Sequence, residues 1–543
     1  MYLDASIKKM GVLAAVAVLF VVSVYSTHLG KVSLFGTTPY FYSIRAGALY
    51  VAESAIASVS TAGRAMVASV GFAFGDEPDA SHESQAKASS IPILTYHRVV
   101  TDDNDQNNVT ESRFRDQMET LAKNGWRAVS LEDFERFMRG EKELPEKSFL
   151  LTFDDGAKDS FYPVDPILRE LGFHAAIYII VNSSHTPEST YYLSPQEIRW
   201  LLWTGRWAIG SHSFDGHRPY GTDSLGTTGI FFADRIWNRS ENHLETAEEF
   251  TVRVRDDLTR ARQELERDYG KTIDTLAFPL GNEAGIEGAN NFPEGNLITE
   301  AEAANIYSIG FVQTNNQTYT FNFPKTTTAQ FSPAFASTTR ALSTEFLAHR
   351  IHVDYDWDGA RRVEIMENGR AKSLPFEDDF SINKGWIRAW GANEIGRNNF
   401  LLRAEPENSS ASTFLDGSAL WDNYSFDISA NWQTGFAVVT ADVLDSKTYH
   451  ACAFSPGSVL LQRIVGGTTE TLAEKKDARI TNGDNVRLGI RVHGSTIECT
   501  WNFESVLEDY SRDFSGGVGI QAYNPELGTA QLQVTSVIVR PHQ

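Results

Sequence analysis

Cysteine is nearly missing from this chain. Its 543 residues include two, Cys452 and Cys499. That excludes a disulfide-rich scaffold and a thiolate metal site. Both fall in strand-like runs of the last third, where they either form one disulfide in an oxidising compartment or remain two buried thiols. Basic residues are also in deficit: 48 Lys and Arg against 70 Asp and Glu leave a formal net charge of -22. This argues against nucleic acid as a partner held through a basic surface, and it suits a neutral or cationic one better. Long apolar runs are scarce. Met10–Tyr25, behind Lys8 and Lys9, is at the short end of the roughly 17–25 residues needed to span a bilayer. Residues 1–30 therefore read as a signal anchor or a cleaved signal peptide, and either one exports the rest of the chain to the cell envelope.

What the chain does have is length for two or more domains and a globular balance of apolar and charged residues. Residues 31–90 hold a juxtamembrane segment and a linker. Ile44, Ala48, Val51, Ala52, Ala55, Ile56 and Val59 recur at helical spacing, and Gly75–Ser90 is polar. From Ile91 to about residue 365, short apolar strands alternate with amphipathic helices. Expected strands end at Val100, Phe153, Val181, Gly210, Phe278 and Gln313, and a last apolar stretch runs to Val353. Expected helices cover Glu111–Asn124, Pro166–Leu171, Ser194–Thr204, Thr246–Tyr269 and Thr299–Tyr307. This alternation predicts an α/β fold with parallel strands in a barrel or open sheet, and functional loops at the strands' C-terminal ends. The long segment Arg218–Glu245 brings Phe231, Phe232 and Trp237, which either wall a sugar groove or pack the loop down. Arg361–Pro375 reads as a polar link. Residues 376–543 change to period-two alternation, as in Tyr424, Phe426, Ile428, Ala430 and Trp432, which predicts an all-β sandwich with Trp432 in its core.

Three loops at strand ends carry the chemistry. The strand Leu150–Phe153 ends in Asp154-Asp155-Gly156. A second loop holds His212 and His217, and a third holds Phe278-Pro279-Leu280-Gly281. Asp-Gly alone is an ordinary turn, and a lone histidine is an ordinary surface residue. Together, two carboxylates and two imidazoles form a hard, mixed O/N ligand set for a divalent metal. One carboxylate and two imidazoles leave coordination positions open, and the other carboxylate can serve as a base toward water.

These motifs resemble the polysaccharide deacetylase family, the NodB-homology or carbohydrate esterase family 4 group, over about Ile91 to Val353. Thr152-Phe153-Asp154-Asp155-Gly156 is similar to the family's first motif, which implies Asp154 as general base and Asp155 as metal ligand. His212 and His217 match its two metal histidines, with four residues between them where three are usual. The longer spacing is similar to the branch acting on poly-β-1,6-N-acetylglucosamine. Ala277-Phe278-Pro279-Leu280-Gly281 resembles the third motif with Leu280 in place of its common Tyr. The oxyanion contact implied there comes from the backbone N–H of Leu280. The arginine often found just before this motif is missing, Leu276 or Ala277 standing in its place. Tyr96-His97 matches the motif that supplies the acid in the biofilm branch, with His349 and His352 as competing candidates.

The resemblance implies a (β/α) barrel-like domain, one divalent metal ion, zinc by preference, and hydrolysis of N-acetyl groups on an acetylated polysaccharide. The alternatives are an inactive glycan-binding protein and an O-acetyl esterase on a xylan-like chain. Trp421–Phe426 and Gly516–Ile520 are weakly similar to a concanavalin/laminin-G jelly roll, which implies a sugar-binding or purely structural C-terminal domain.

Overall fold

The computed structural model describes residues 86–101, 108–186, 189–280, 291–314, 321–324, 346–396, 398–509 and 511–542. The expected N-terminal anchor and juxtamembrane helix lie outside them. Among the described residues no helix is long and apolar enough to cross a membrane.

Seven parallel strands form a closed barrel: β1 (Ile91–Tyr96), β2 (Ser148–Phe153), β3 (Ala175–Ile179), β4 (Trp207–Ser211), β5 (Thr275–Ala277), β6 (Ile309–Thr314) and β7 (Leu347–His352). Closure comes from β1, which pairs with β2 on one side and β7 on the other. Residues Arg127–Val129 extend the sheet beside β2, and Phe321–Asn322 run antiparallel to β1. The join between β4 and β5 is the thinnest, with Leu276 opposite Ser211 as its registered pair.

Alternation decides what faces where. Ile93, Leu150, Tyr178, Ala277, Phe311 and Ala348 fill the barrel, and Phe134 and Phe137 of a short helix join the same cluster. Their neighbours Leu94, Tyr96, Leu151, Phe153, Ile177 and Ile351 point outward into the helical layer. Both faces are buried, which is why these strands read as continuous apolar runs. Gly210 is needed for space, because a Cβ there would lie 2.2 Å from the Tyr178 ring.

The helices follow their caps. Ser194 caps Pro195–Trp203 and Thr246 caps Ala247–Tyr269, each closing a capping box with a glutamate three residues on. Two expectations need correcting. The helix expected from Thr299 begins at Gly295. The polar link expected from Arg361 opens as a helix, Gly359–Asn368, capped by the Asp358 side chain on the Arg361 N–H. Its inward face is carried by Arg362 and Met366, so a charged residue occupies a buried position and masks the helical pattern.

Residues from Phe376 onward fold into two antiparallel sheets, of eight and seven strands, facing one another across a shared apolar core. Tyr424, Phe426, Ile428, Ala430 and Trp432 are buried in alternation as the sequence predicts, and Trp386, Trp421 and Trp501 are buried with them. Cys452, on Thr448–Ser455 of one sheet, forms a disulfide with Cys499, on Thr496–Trp501 of the other. The bridge ties the sheets face to face and closes a loop of sequence separation 47. Loop-closure entropy for that length is about 4 kcal/mol. Replacing both cysteines with alanine is expected to lower the sandwich's unfolding free energy by roughly 2–4 kcal/mol in urea titrations followed by tryptophan fluorescence. An unchanged midpoint would contradict this.

Candidate active site

The barrel interior turns from apolar to polar along its strands. On β2 the inward series is Leu150, Thr152, Asp154. On β1 it is Ile93, Thr95, His97, and on β7 it is Ala348, Arg350, His352. The Thr95 and Thr152 hydroxyls meet at 2.7 Å. Asp154, His97, Arg350 and His352 then gather just beyond them at the C-terminal rim. The Asp154 N–H donates to the Tyr96 carbonyl at 3.0 Å, which seats the loop on β1. Asp155 and Gly156 follow with φ of 70° and 72°. That left-handed step lets adjacent aspartates face different directions.

Asp155 turns toward the histidine loop. Its Oδ1 lies 3.5 Å from His212 Nε2 and 3.3 Å from His217 Nε2. Three donors around a tetrahedral zinc, each at about 2.0–2.1 Å, stand about 3.4 Å apart. The Asp155 Oδ1 is buried without a hydrogen-bond partner, as expected of an atom placed for a cation. His212 Nδ1 lies 2.8 Å from the Ala277 carbonyl, so it donates there and leaves the Nε2 lone pair facing Asp155. Burial and then neighbouring His212 lower the pKa of His217, which favours the neutral ring that ligation requires. Burial opposes the charge on His212, but Asp154 and Asp155 outweigh it and raise its pKa. The residues therefore fit a divalent cation. Among the described residues, the other trio of possible donors is Glu241, His243 and Glu249. It lies at the surface, where Glu249 already serves a helix cap.

Asp154 is held differently. Arg350 donates to its two oxygens, Nη1 to Oδ1 and Nη2 to Oδ2, both at 2.7 Å. Both side chains are buried, Arg350 completely. Burial opposes ionisation of Asp154, but Arg350, backed by His212 and His97, holds its carboxyl well below the usual range. The arginine missing before the third loop thus has a counterpart on β7. A carboxyl whose folded pKa lies below its unfolded value of about 3.9 stabilises the fold at neutral pH, and that contribution is lost as the pH falls through the folded value.

His97 and His352 face each other, with ring centroids 5.5 Å apart. Burial and then His97 lower the pKa of His352. His349 has the opposite strand parity from Arg350 and His352, so it points away from this group. Leu280, in the third loop, has a φ of 64° and 47% exposure. Ser213, in the histidine loop, also has a positive φ, 73°. Asp155, Ser213 and Leu280 place one left-handed non-glycine residue in each of the three loops, a conformation costing roughly 1–2 kcal/mol apiece for an ordinary side chain.

The histidine loop is clamped from behind. The Phe214 and Asp215 N–H groups both donate to Asp257, on the long helix, at 2.9 Å. A Cβ at Gly216 would lie 2.4 Å from the Phe232 ring, so glycine lets the loop pass. Phe231 and Phe232 are buried, so of the two readings of that segment they take the packing one. Arg350 and Asp257 were not singled out in the sequence. Their signals were weak: an arginine at an inward position of an apolar strand, and one acid among many on a charged helix.

Arg350→Met should strand Asp154 in the barrel and raise its pKa. The acid limb of kcat/KM should move up by more than about one pH unit, with stability falling by about 3–5 kcal/mol. An unmoved acid limb would contradict the pairing argument. Asp257→Ala should weaken zinc binding by about 10–100-fold in competition titrations while Asp154 and Arg350 stay in place. Unchanged affinity would show that the clamp does not position the ligands.

Residues 141–286 match the family model for polysaccharide deacetylase. The chain is 26% identical over 207 residues to a poly-beta-1,6-N-acetyl-D-glucosamine N-deacetylase of Escherichia coli (strain K12), spanning 36% of this chain and 31% of that relative. It thus covers about a third of the relative's length. Among solved structures, a de-N-acetylase from Aggregatibacter actinomycetemcomitans aligns with TM-score 0.40 and 18% identity, covering 50% of this chain and 98% of that one. A deacetylase domain from Bordetella bronchiseptica aligns with TM-score 0.38 and 19% identity, covering 49% and 97%.

Proposed function

We propose that this chain, which carries a polysaccharide deacetylase domain, hydrolyses N-acetyl groups on an exported glycan of the poly-β-1,6-N-acetylglucosamine type. The observation that carries this is one barrel rim holding two differently tuned aspartates: Asp155 facing two imidazoles, and Asp154 locked to Arg350. Asp155, His212 and His217 would hold a divalent cation such as zinc, which would supply Lewis-acid chemistry, lowering the pKa of water toward ~7 and polarising a carbonyl.

The chain's own groups do the rest. Asp154, kept ionised, accepts a proton from the attacking water, and Arg350 fixes the direction of its lone pairs. The new C–O bond forms at the acetyl carbon, and the Leu280 N–H donates to the oxygen that gains charge. The C–N bond then breaks, and His97 gives its proton to the leaving nitrogen, releasing acetate and a free sugar amine. His352 sits beside His97 as its neighbour at the rim.

A site without an arginine for Asp154 would favour the inactive glycan-binding reading. The pairing of Arg350 with Asp154 supports the active reading. We further take the C-terminal sheets to be a concanavalin/laminin-G-type jelly roll that keeps polymer near the barrel, and the N-terminal segment to hold the protein at the envelope membrane.

The test is acetate release from a β-1,6-linked N-acetylglucosamine oligomer by zinc-loaded protein. The parent should release acetate, Asp154→Asn should lose about 10²–10⁴-fold, and His97→Ala a similar factor. Full activity in Asp154→Asn would refute the assignment. Preference for an O-acetylated xylan would move the substrate to the ester class.

A further inference from the structure

Tyr191 is an exposed aromatic ring at the same rim, and neither the metal trio nor the proton-transfer residues account for it. Its carbonyl accepts the Lys158 N–H at 2.8 Å, and Tyr192 bridges to Ala157. The segment carrying both tyrosines is therefore tied directly to the turn that follows Asp154 and Asp155. Burial and then the charge of Asp155 push the Tyr191 phenol up to about 12, so it stays neutral under working conditions.

The ring is also held in place. The Arg98 guanidinium carbon lies 5.2 Å from its centroid, and Arg98 is fixed by Asp159 at 2.6 Å. Tyr192 meets it edge-on with centroids 4.7 Å apart. The strap runs back to the proposed acid, because Arg98 follows His97 in sequence and Ser160 donates to the His97 carbonyl. Yet Tyr191 keeps 38% of its surface exposed. Exposed aromatic surface held in place beside a candidate site is contact area available to a ligand.

We propose that Tyr191 is a stacking platform for the sugar ring next to the one being deacetylated, so that it sets the preference for polymer over single sugars. The inference rests on the deacetylase reading above. A neutral pyranose presents one apolar face of C–H groups, which suits a neutral ring held from behind by Arg98. Leu280, with 47% exposure in another of the rim loops, is a second apolar surface available to the polymer. Tyr191 is thus a specificity residue and takes no part in proton transfer.

The test uses the full zinc-loaded chain with β-1,6-linked N-acetylglucosamine oligomers and a small chromogenic acetyl ester. Tyr191→Ala should raise KM for oligomers about tenfold with kcat within about twofold, and leave the ester unaffected. Tyr191→Phe, which keeps the ring, should behave as the parent. In calorimetry on an Asp154→Asn background, Tyr191→Ala should weaken oligomer binding by a similar factor. An unchanged KM in Tyr191→Ala, or an equal loss in Tyr191→Phe, would overturn the platform. If the parent releases acetate from no substrate, the deacetylase reading fails, and the calorimetric comparison then decides the platform alone.

Discussion

The buried ion pair between Asp154 and Arg350 is the constraint that the site depends on. Two charges inside a barrel otherwise lined by apolar side chains and a few neutral hydroxyls each cost several kcal/mol of desolvation. Only paired, hydrogen-bonded geometry offsets that, and two bonds of 2.7 Å provide it. The partners are 196 residues apart in sequence and meet because β1 pairs with both β2 and β7. Closing the barrel and orienting the proposed base are therefore the same event. Asp155 is adjacent in sequence and chemically opposite, since it faces imidazoles instead of a guanidinium. One left-handed residue separates the two environments.

The positive-φ residues Asp155, Ser213 and Leu280 extend the same logic to the loops. Each loop leaves a strand whose direction is fixed by the barrel and must turn sharply to aim a group back over the rim. The supporting contacts are local and specific: the Tyr96 carbonyl for the aspartate turn, Asp257 for the histidine loop, the Ala277 carbonyl for the His212 ring. The strain is held by an interior that cannot relax easily, because its strands are packed on both faces. The C-terminal sheets stand apart from this chemistry. Trp386, Trp421, Trp432 and Trp501 serve the core, and the disulfide joins two sheets.

Much of this was legible in the sequence, for identifiable reasons. Alternating strands and amphipathic helices are local signals, so the α/β unit, the sandwich and the helices from Ser194 and Thr246 could be read directly. Two strand-end loops stood out because their acids and histidines, each ordinary alone, together form a ligand set, and the third stood out by its Pro279 and Gly281 after an apolar run. What could not be read was long-range. Arg350 sits in a stretch of alternating apolar and charged residues, and nothing in its neighbourhood marks its partner. The Gly359–Asn368 helix was hidden because its buried face carries an arginine. The pairing of Cys452 with Cys499 depends on which strands face each other, and alternation alone does not give that.

Under the proposed function, Asp155, His212 and His217 hold a divalent cation. Anomalous diffraction at the zinc edge from zinc-loaded crystals tests this. One peak is expected about 2.0–2.2 Å from Asp155 Oδ1, His212 Nε2 and His217 Nε2. A peak at Glu241, His243 and Glu249 instead, or none at the barrel rim at saturating zinc, would contradict it.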